Sequence, residues 1–276
     1  MRRRSTPLAS LLTASRTISS RAVSRALDGR WLTIRGGPAA GLRWRHAPDL
    51  VHSYWRGTYE AAFHGWLASR LQPGDVFFDV GAHVGYTSLV GARSVGSAGK
   101  ALAIEAVPAN ASRIREHLYR NGMFHARCLC VAVGDTEGLA EFVVPYDERT
   151  GLVLSSAGRF QHVRGDGEDA SQMDRIFVPV VTLDTLVERT GWRPNLIKLD
   201  VEGAEVVALR GAARLLAQRP RPELFLELHG PDLARDSEAL LLEAGYRLAT
   251  TDGRPWSAMD AERHVVAVPA ERSSSS

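Results

Sequence analysis

Apolar and polar positions follow two rhythms along this 276-residue chain, and the order of those rhythms predicts its architecture. The run Val76-Phe77-Phe78-Asp79-Val80 is apolar on successive positions, the pattern of a strand covered on both faces. A glycine-punctuated turn follows, and then residues at helical spacing to about 95. Further strand-like runs lie at 101–105, 127–133, 195–200 and 223–228, with two more at 246–250 and 264–268. Helical spacing fills the intervals near 109–121 and at 183–190, 204–217 and 236–244. Strands that alternate with helices predict an α/β fold, a mostly parallel sheet with helices on both faces and right-handed crossovers.

Two regions depart from that rhythm. Between 134 and 182, short alternating runs at 140–144 and 176–182 flank a polar, glycine-rich stretch at 159–171. This predicts an antiparallel insertion whose loop is placed to cover a substrate. Upstream, 31–45 reads as a hairpin broken at Gly36-Gly37-Pro38, and 54–71 as a helix stopped by Pro73-Gly74-Asp75. The chain therefore divides into a basic, disordered tail (1–27), a hairpin and helix (28–74), and one principal domain (75–270). There are no internal repeats, and 273–276 is a frayed end.

Charge alters the picture only at the N-terminus. Residues 1–27 hold six of the 34 basic residues and no acid, which leaves 28 basic against 31 acidic groups in the remainder. The body therefore offers no basic surface for nucleic acid. The tail suits a transit peptide, a disordered extension or a segment lying on anionic lipid. The expected compartment is the cytoplasm, with mitochondrial or peripheral-membrane placement as the alternatives the tail raises. No apolar run reaches the roughly 18–20 residues that span a bilayer. Cys128 and Cys130 alternate on one predicted strand; a disulfide across that spacing would be strained, so they are expected to pack as thiols in the core.

The chemistry concentrates where strands end. Asp79 closes one strand and is followed by Gly81, His83 and Gly85; the two glycines permit positive φ and a close approach of ligand to backbone. The spacing is G-x-x-x-G rather than the G-x-G-x-x-G of dinucleotide enzymes. Glu105 ends the next strand, 26 positions after Asp79, where an acid can accept hydrogen bonds from a ribose diol. Asp200 and Glu202 follow a third strand, and Glu227 and His229 a fourth. In a doubly wound sheet, ligands bind at the carboxyl ends of strands, so these residues are expected on one rim. Lys198, a charge inside a buried strand, needs an acid partner, as scaffold or to orient a site carboxylate. Glu205 is expected to do no more than favour the start of a helix. His229 or Asp200 is the expected base, with Glu202 and Glu227 orienting. Asp200, Glu202, Glu227 and His229 also suit a hard divalent ion, but no ligand spacing demands one, so metal is not favoured.

The succession FFDVGAHVGYTSL, IEAVPAN, AVGDTEG, VTLDTL, IKLDVEGAEVVALRGA and ELFLELHG, with YWRGTYE upstream, resembles the FkbM-type methyltransferase family from about residue 36 to 230. The resemblance implies the Rossmann-like class I methyltransferase fold and S-adenosylmethionine as cofactor. It also implies a small-molecule or glycan acceptor, methylated on a hydroxyl of a sugar, glycolipid or natural product. It assigns Asp79, Gly81, His83, Gly85, Glu105 and Asp200 to the cofactor. The reaction side falls to Asp200 to Glu205, with Glu202 among them, and to Glu227 to His229; Lys198 joins it as the cation that would orient a site carboxylate. His83 stands where many relatives carry Asn. The alternatives are a nucleotide-dependent oxidoreductase and a cofactor-binding module without catalysis.

Overall fold

The computed structural model describes residue 24 and residues 26–47, 52–145, 159–160, 173–260 and 263–271. Nearly all of the basic tail and of the stretch 159–171 therefore lies outside the described residues. The chain divides into two compact units, one up to Ala61 and one from Ala62 onward.

In the first unit, β1 (Trp31–Thr33) and β2 (Arg43–Arg45) form the expected hairpin, with Leu32 opposite Trp44. A one-turn helix, α1 (Ser53–Arg56), brings Tyr54 against the fully buried Trp44, the ring centroids 4.9 Å apart. The single helix expected over 54–71 is broken here. Gly57 adopts φ 79°, ends α1, and lies so close to Gly36 that an added Cβ would sit 2.0 Å from the Gly36 carbonyl oxygen. Helical spacing continues through this glycine; the backbone does not.

The larger unit carries the second half of that segment as α2 (Ala61–Arg70), whose first residue closes the first unit. Then come β3 (Val76–Val80), α3 (Tyr86–Val95), β4 (Lys100–Ile104), α4 (Pro108–Arg120) and β5 (Ala126–Leu129). Four short strands follow: β6 (Ala132–Val133), β7 (Gly138–Pro145), β8 (Arg159–Phe160) and β9 (Met173–Val181). The alternation resumes with α5 (Leu183–Thr190), β10 (Leu196–Leu199), α6 (Glu205–Arg210), α7 (Ala213–Ala217) and β11 (Glu223–Glu227). It closes with α8 (Pro231–Glu243), β12 (Tyr246–Ala249) and β13 (His264–Pro269).

Seven strands form one sheet in the order β12-β13-β11-β10-β3-β4-β5, parallel except for β13, which runs antiparallel to both neighbours. Residues Phe77–Val80 are all buried, so both faces of β3 are covered, as a run apolar at every position but Asp79 predicts. On one face Phe78, Val80, Ile197 and Leu226 join Leu183, Leu209, Leu216 and Leu241 of the flanking helices. On the other, the Phe225 ring stacks on Phe63 of α2 at 4.0 Å, and the Phe77 ring occupies the place a side chain on Gly91 of α3 would need.

Two further expectations need correction. The strand predicted over 127–133 is two strands in two sheets: β5 borders the main sheet, while β6 pairs with β9. Cys130 falls in the gap and is exposed, and Cys128 is half-buried, so the cysteines are not core residues. The helix predicted over 204–217 is α6 and α7. Between them, Gly211 packs so closely on Gly134 that a Cβ would meet its carbonyl oxygen at 2.0 Å. The antiparallel insertion is present: β7 pairs with β9 over eight positions, from Gly138 opposite Val180 to Pro145 opposite Met173. Its Phe142, Val144 and Val178 pack on Ala106 and Val107 after β4 and on Ala204 before α6. It is thereby seated at the carboxyl edge of the sheet. Among the described residues, no helix is long and apolar enough to cross a membrane.

Candidate active site

Strand order reverses beside β3, since the chain moves to β4 on one side and later to β10 on the other. At such a switch point the loops after adjacent strands part and leave a crevice. The turn after β3 fills the near wall. Gly81 and Gly85 adopt φ 73° and 86°, and His83 also lies in the left-handed region at 50°. The Gly81 and Ala82 amides donate to the Ile104 carbonyl at 3.0 and 3.1 Å. The glycines serve packing more directly than ligand access. A Cβ on Gly81 would stand 1.6 Å from the Asp200 carbonyl oxygen, and one on Gly85 would stand 2.9 Å from Ile114 Cγ1.

Glu105, just past β4, is buried and accepts from the main-chain amides of His83 at 2.8 Å and Val107 at 2.9 Å. Asn110 Nδ2 adds a longer contact at 3.3 Å. Burial pushes this carboxyl up to about 7, against the pull of those donors. Burial, with Lys198 nearby, lowers the His83 imidazole to about 4.

Asp79, on β3, is wholly buried and accepts from the Ser88 hydroxyl at 2.5 Å. Burial raises its carboxyl, opposed by Lys198 and Ser88. Its Oδ1 has no hydrogen-bond partner among the described residues and lies 3.8 Å from Lys198 Nζ. That ammonium donates to the Gly81 carbonyl at 2.8 Å and pairs with Asp200 Oδ2 at 3.0 Å. The acid partner expected for Lys198 is present twice over, in Asp79 and Asp200.

The far wall is built by the loops after β10 and β11. His229 Nδ1 lies 2.8 Å from Glu205 Oε1. Its Nε2 lies 3.5 Å from Glu202 Oε2 and 3.8 Å from Asp200 Oδ1. Glu205 does stand in the first turn of α6, but its expected role was too small. It is fully buried, holds the imidazole, and also accepts from the Gly203 amide at 3.0 Å. The Glu205–His229 hydrogen bond is the first cause raising His229 to about 9. Burial, then neighbouring carboxylates, raise Glu202 against the opposing pull of His229. Glu227 stands apart in its contacts: its direct partner is His264 Nε2 at 3.5 Å, which holds its carboxyl below the usual range. His264 escapes any sequence signal, because only the β11–β13 register sets it opposite Glu227.

The profile of the methyltransferase FkbM domain matches residues 79–248, which span the sheet from β3 to β12 and every acid just described. The chain belongs to the FkbM methyltransferase family. The match lies on a mostly parallel α/β sheet. Among solved structures, an FkbM methyltransferase from Methylobacillus flagellatus is 17% identical with a TM-score of 0.44, over 71% of this chain and 44% of that one. The chain thus spans less than half the length of that relative. A SAM-dependent O-methyltransferase from Thermotoga maritima is 15% identical with a TM-score of 0.41, over 74% and 63%. Fibrillarin from Aeropyrum pernix, in complex with natively bound S-adenosyl-L-methionine, is 11% identical with a TM-score of 0.41, over 74% and 76%. No curated protein matches. The donor set fits this family's cofactor. A buried carboxylate closes β4, Asp79 Oδ1 has no hydrogen-bond partner among the described residues, and the rim is acidic enough to face a sulfonium.

Proposed function

We propose that this methyltransferase acts on a hydroxyl group of a sugar, glycolipid or natural product. The observation that supports this is the Glu205-held imidazole of His229, turned toward Asp200 and Glu202 and joined through Lys198 to the glycine turn. In this reading Asp79, Gly81, His83, Gly85 and Glu105 hold the cofactor, and Asp200 borders it. Bound S-adenosylmethionine supplies an activated methyl group. The protein's own task is then to place a hydroxyl oxygen against that group and weaken its O–H bond. The cluster after β10 and β11 suits that task, being polar, acidic and only partly exposed: the side chains of Asp200, Glu202 and His229 are 24, 35 and 21% accessible. Glu227, paired with His264, orients the edge of the site from β11. The insertion covers the same edge, and the acceptor lies beneath it.

A panel of hydroxylated sugars, glycolipids and polyketide alcohols, incubated with cofactor carrying a radiolabelled methyl group, tests this reading. Label in an ether methyl of product is expected, and His229→Ala should lower turnover by roughly 10² while cofactor affinity holds. Cofactor binding with no transfer to any hydroxyl, or transfer to nitrogen or carbon only, would sink the hydroxyl assignment.

A further inference from the structure

We propose that Asp200, Glu202 and His229 form a binding site for a divalent first-row metal ion, and that the acceptor hydroxyl binds to that ion. The second half rests on the methyltransferase reading above; the first half does not.

One carboxylate oxygen from each acid and a ring nitrogen of His229 all lie within 4.8 Å of one another. Metal–ligand bonds of roughly 2.0–2.6 Å place donor atoms up to about 4–5 Å apart across one ion, so small side-chain rotations close the set. The imidazole faces the cluster through Nε2, because Nδ1 is engaged by Glu205 at 2.8 Å. A carboxylate behind a histidine is the usual support of a metal-ligating imidazole; it fixes ring orientation and raises ligand basicity.

Glu205 supplies an independent reason to place a cation here. It is fully buried, and its Oε2 has no hydrogen-bond partner among the described residues. A buried carboxylate left this poorly satisfied is costly unless positive charge stands close by. Lys198 is engaged with Asp200, Asp79 and the Gly81 carbonyl. The side chain that Glu205 holds is His229, so the answering positive charge falls there, as a proton on Nε2 or as a bound ion. Two further carboxylates crowd Nε2, at 3.5 and 3.8 Å. That is more negative charge than one proton answers, and two oxygens with one imidazole suit manganese, iron or zinc better than calcium. Partial exposure of all three ligands leaves coordination positions for a hydroxyl. An alcohol held there would lose its proton more easily, as metal-bound water does.

The test is titration of the full chain, stripped by a chelator, with Mn²⁺ in the absence of cofactor and acceptor. Electron paramagnetic resonance should show one saturable site, weakened tenfold or more in Asp200→Asn and in His229→Ala. Glu205→Gln, which touches no proposed ligand atom, should weaken it by roughly 10- to 100-fold. In the unaltered protein, spin-echo spectroscopy of the bound Mn²⁺ should detect a directly coordinated imidazole nitrogen, a readout that survives if a variant fails to fold. No saturable binding at about 1 mM, or bound Mn²⁺ without nitrogen coupling, overturns the site. Methyl transfer by chelator-stripped enzyme that binds no Mn²⁺ overturns the metal while leaving the hydroxyl reading intact. A confirmed Mn²⁺ site with no transfer to any hydroxyl overturns only the role given to the ion.

Discussion

Glu105 shows how a single residue can carry both a fold contact and a functional consequence. Its carboxyl titrates near 7 because burial disfavours the charge. A carboxyl raised above its ordinary value of 4.5 contributes most to stability below that value, and the contribution is lost as pH rises through 7. Hydrogen bonds from a ribose diol need the ionised form, so ligand affinity should run the other way. With a midpoint of about 7, the affinity for S-adenosylmethionine should rise about tenfold between pH 6 and 8. Glu105→Gln should bind more weakly and lose that component of the slope; calorimetry across the pH range checks it, and parallel slopes would remove Glu105 from the cofactor. Gly81→Ala tests the packing of the turn. The new methyl would collide with the Asp200 carbonyl at φ 73°, so a loss of about 2–4 kcal/mol in chemical denaturation is expected. At this scale the acids at strand ends were legible from sequence, because each follows an apolar run and a common rim collects them. Glu205 and His264 were not, since their partners meet them only across 24 residues or across a sheet register.

The elements were legible wherever their signal was local. The alternation of apolar strands and helices located β3, β4, β10 and β11, and the insertion announced itself by breaking the rhythm. The misplaced boundaries have two causes: backbone meeting backbone at Gly57 and Gly211, and a change of sheet at Cys130. Periodicity registers which face is apolar, not which carbonyl lies against a glycine. Lys198 is the element-scale tie, a cation within β10 that joins this strand to the end of β3. Lys198→Met would strand Asp79 and Asp200 without their counter-charge. Removing one partner of a buried pair costs about 3–5 kcal/mol, and the lower end is expected because Asp200 is partly exposed. Denaturant titration measures it, and adding Asp79→Asn should recover part of the loss. At the start of α5, Thr182 Oγ1 accepts from the Thr185 amide at 3.0 Å, so Thr182→Ala should cost about 1 kcal/mol by the same measurement.

For the molecule as a whole, sequence and structure agree on a mostly parallel sheet with acids gathered past the ends of its strands. Saturation with S-adenosylmethionine at a hundredfold excess over its dissociation constant should add about 2.7 kcal/mol to stability. For a body of this size that is a rise of about 5–10 °C in melting temperature, with none from NAD at equal concentration. A shift from NAD alone would revive the oxidoreductase alternative. The ammonium of Lys198 gives the wider consequence. It holds the Gly81 carbonyl of the glycine turn and the Asp200 carboxylate in one hand. A ligand that draws Asp200 toward itself loosens the Lys198 grip there and turns more of that charge toward Gly81 and Asp79. In the reading proposed above, each compartment would then register whether the other is filled, and equilibrium linkage would make the exchange even-handed. Whatever an acceptor does to the enzyme's hold on its methyl donor, the donor does in equal measure to its hold on the acceptor.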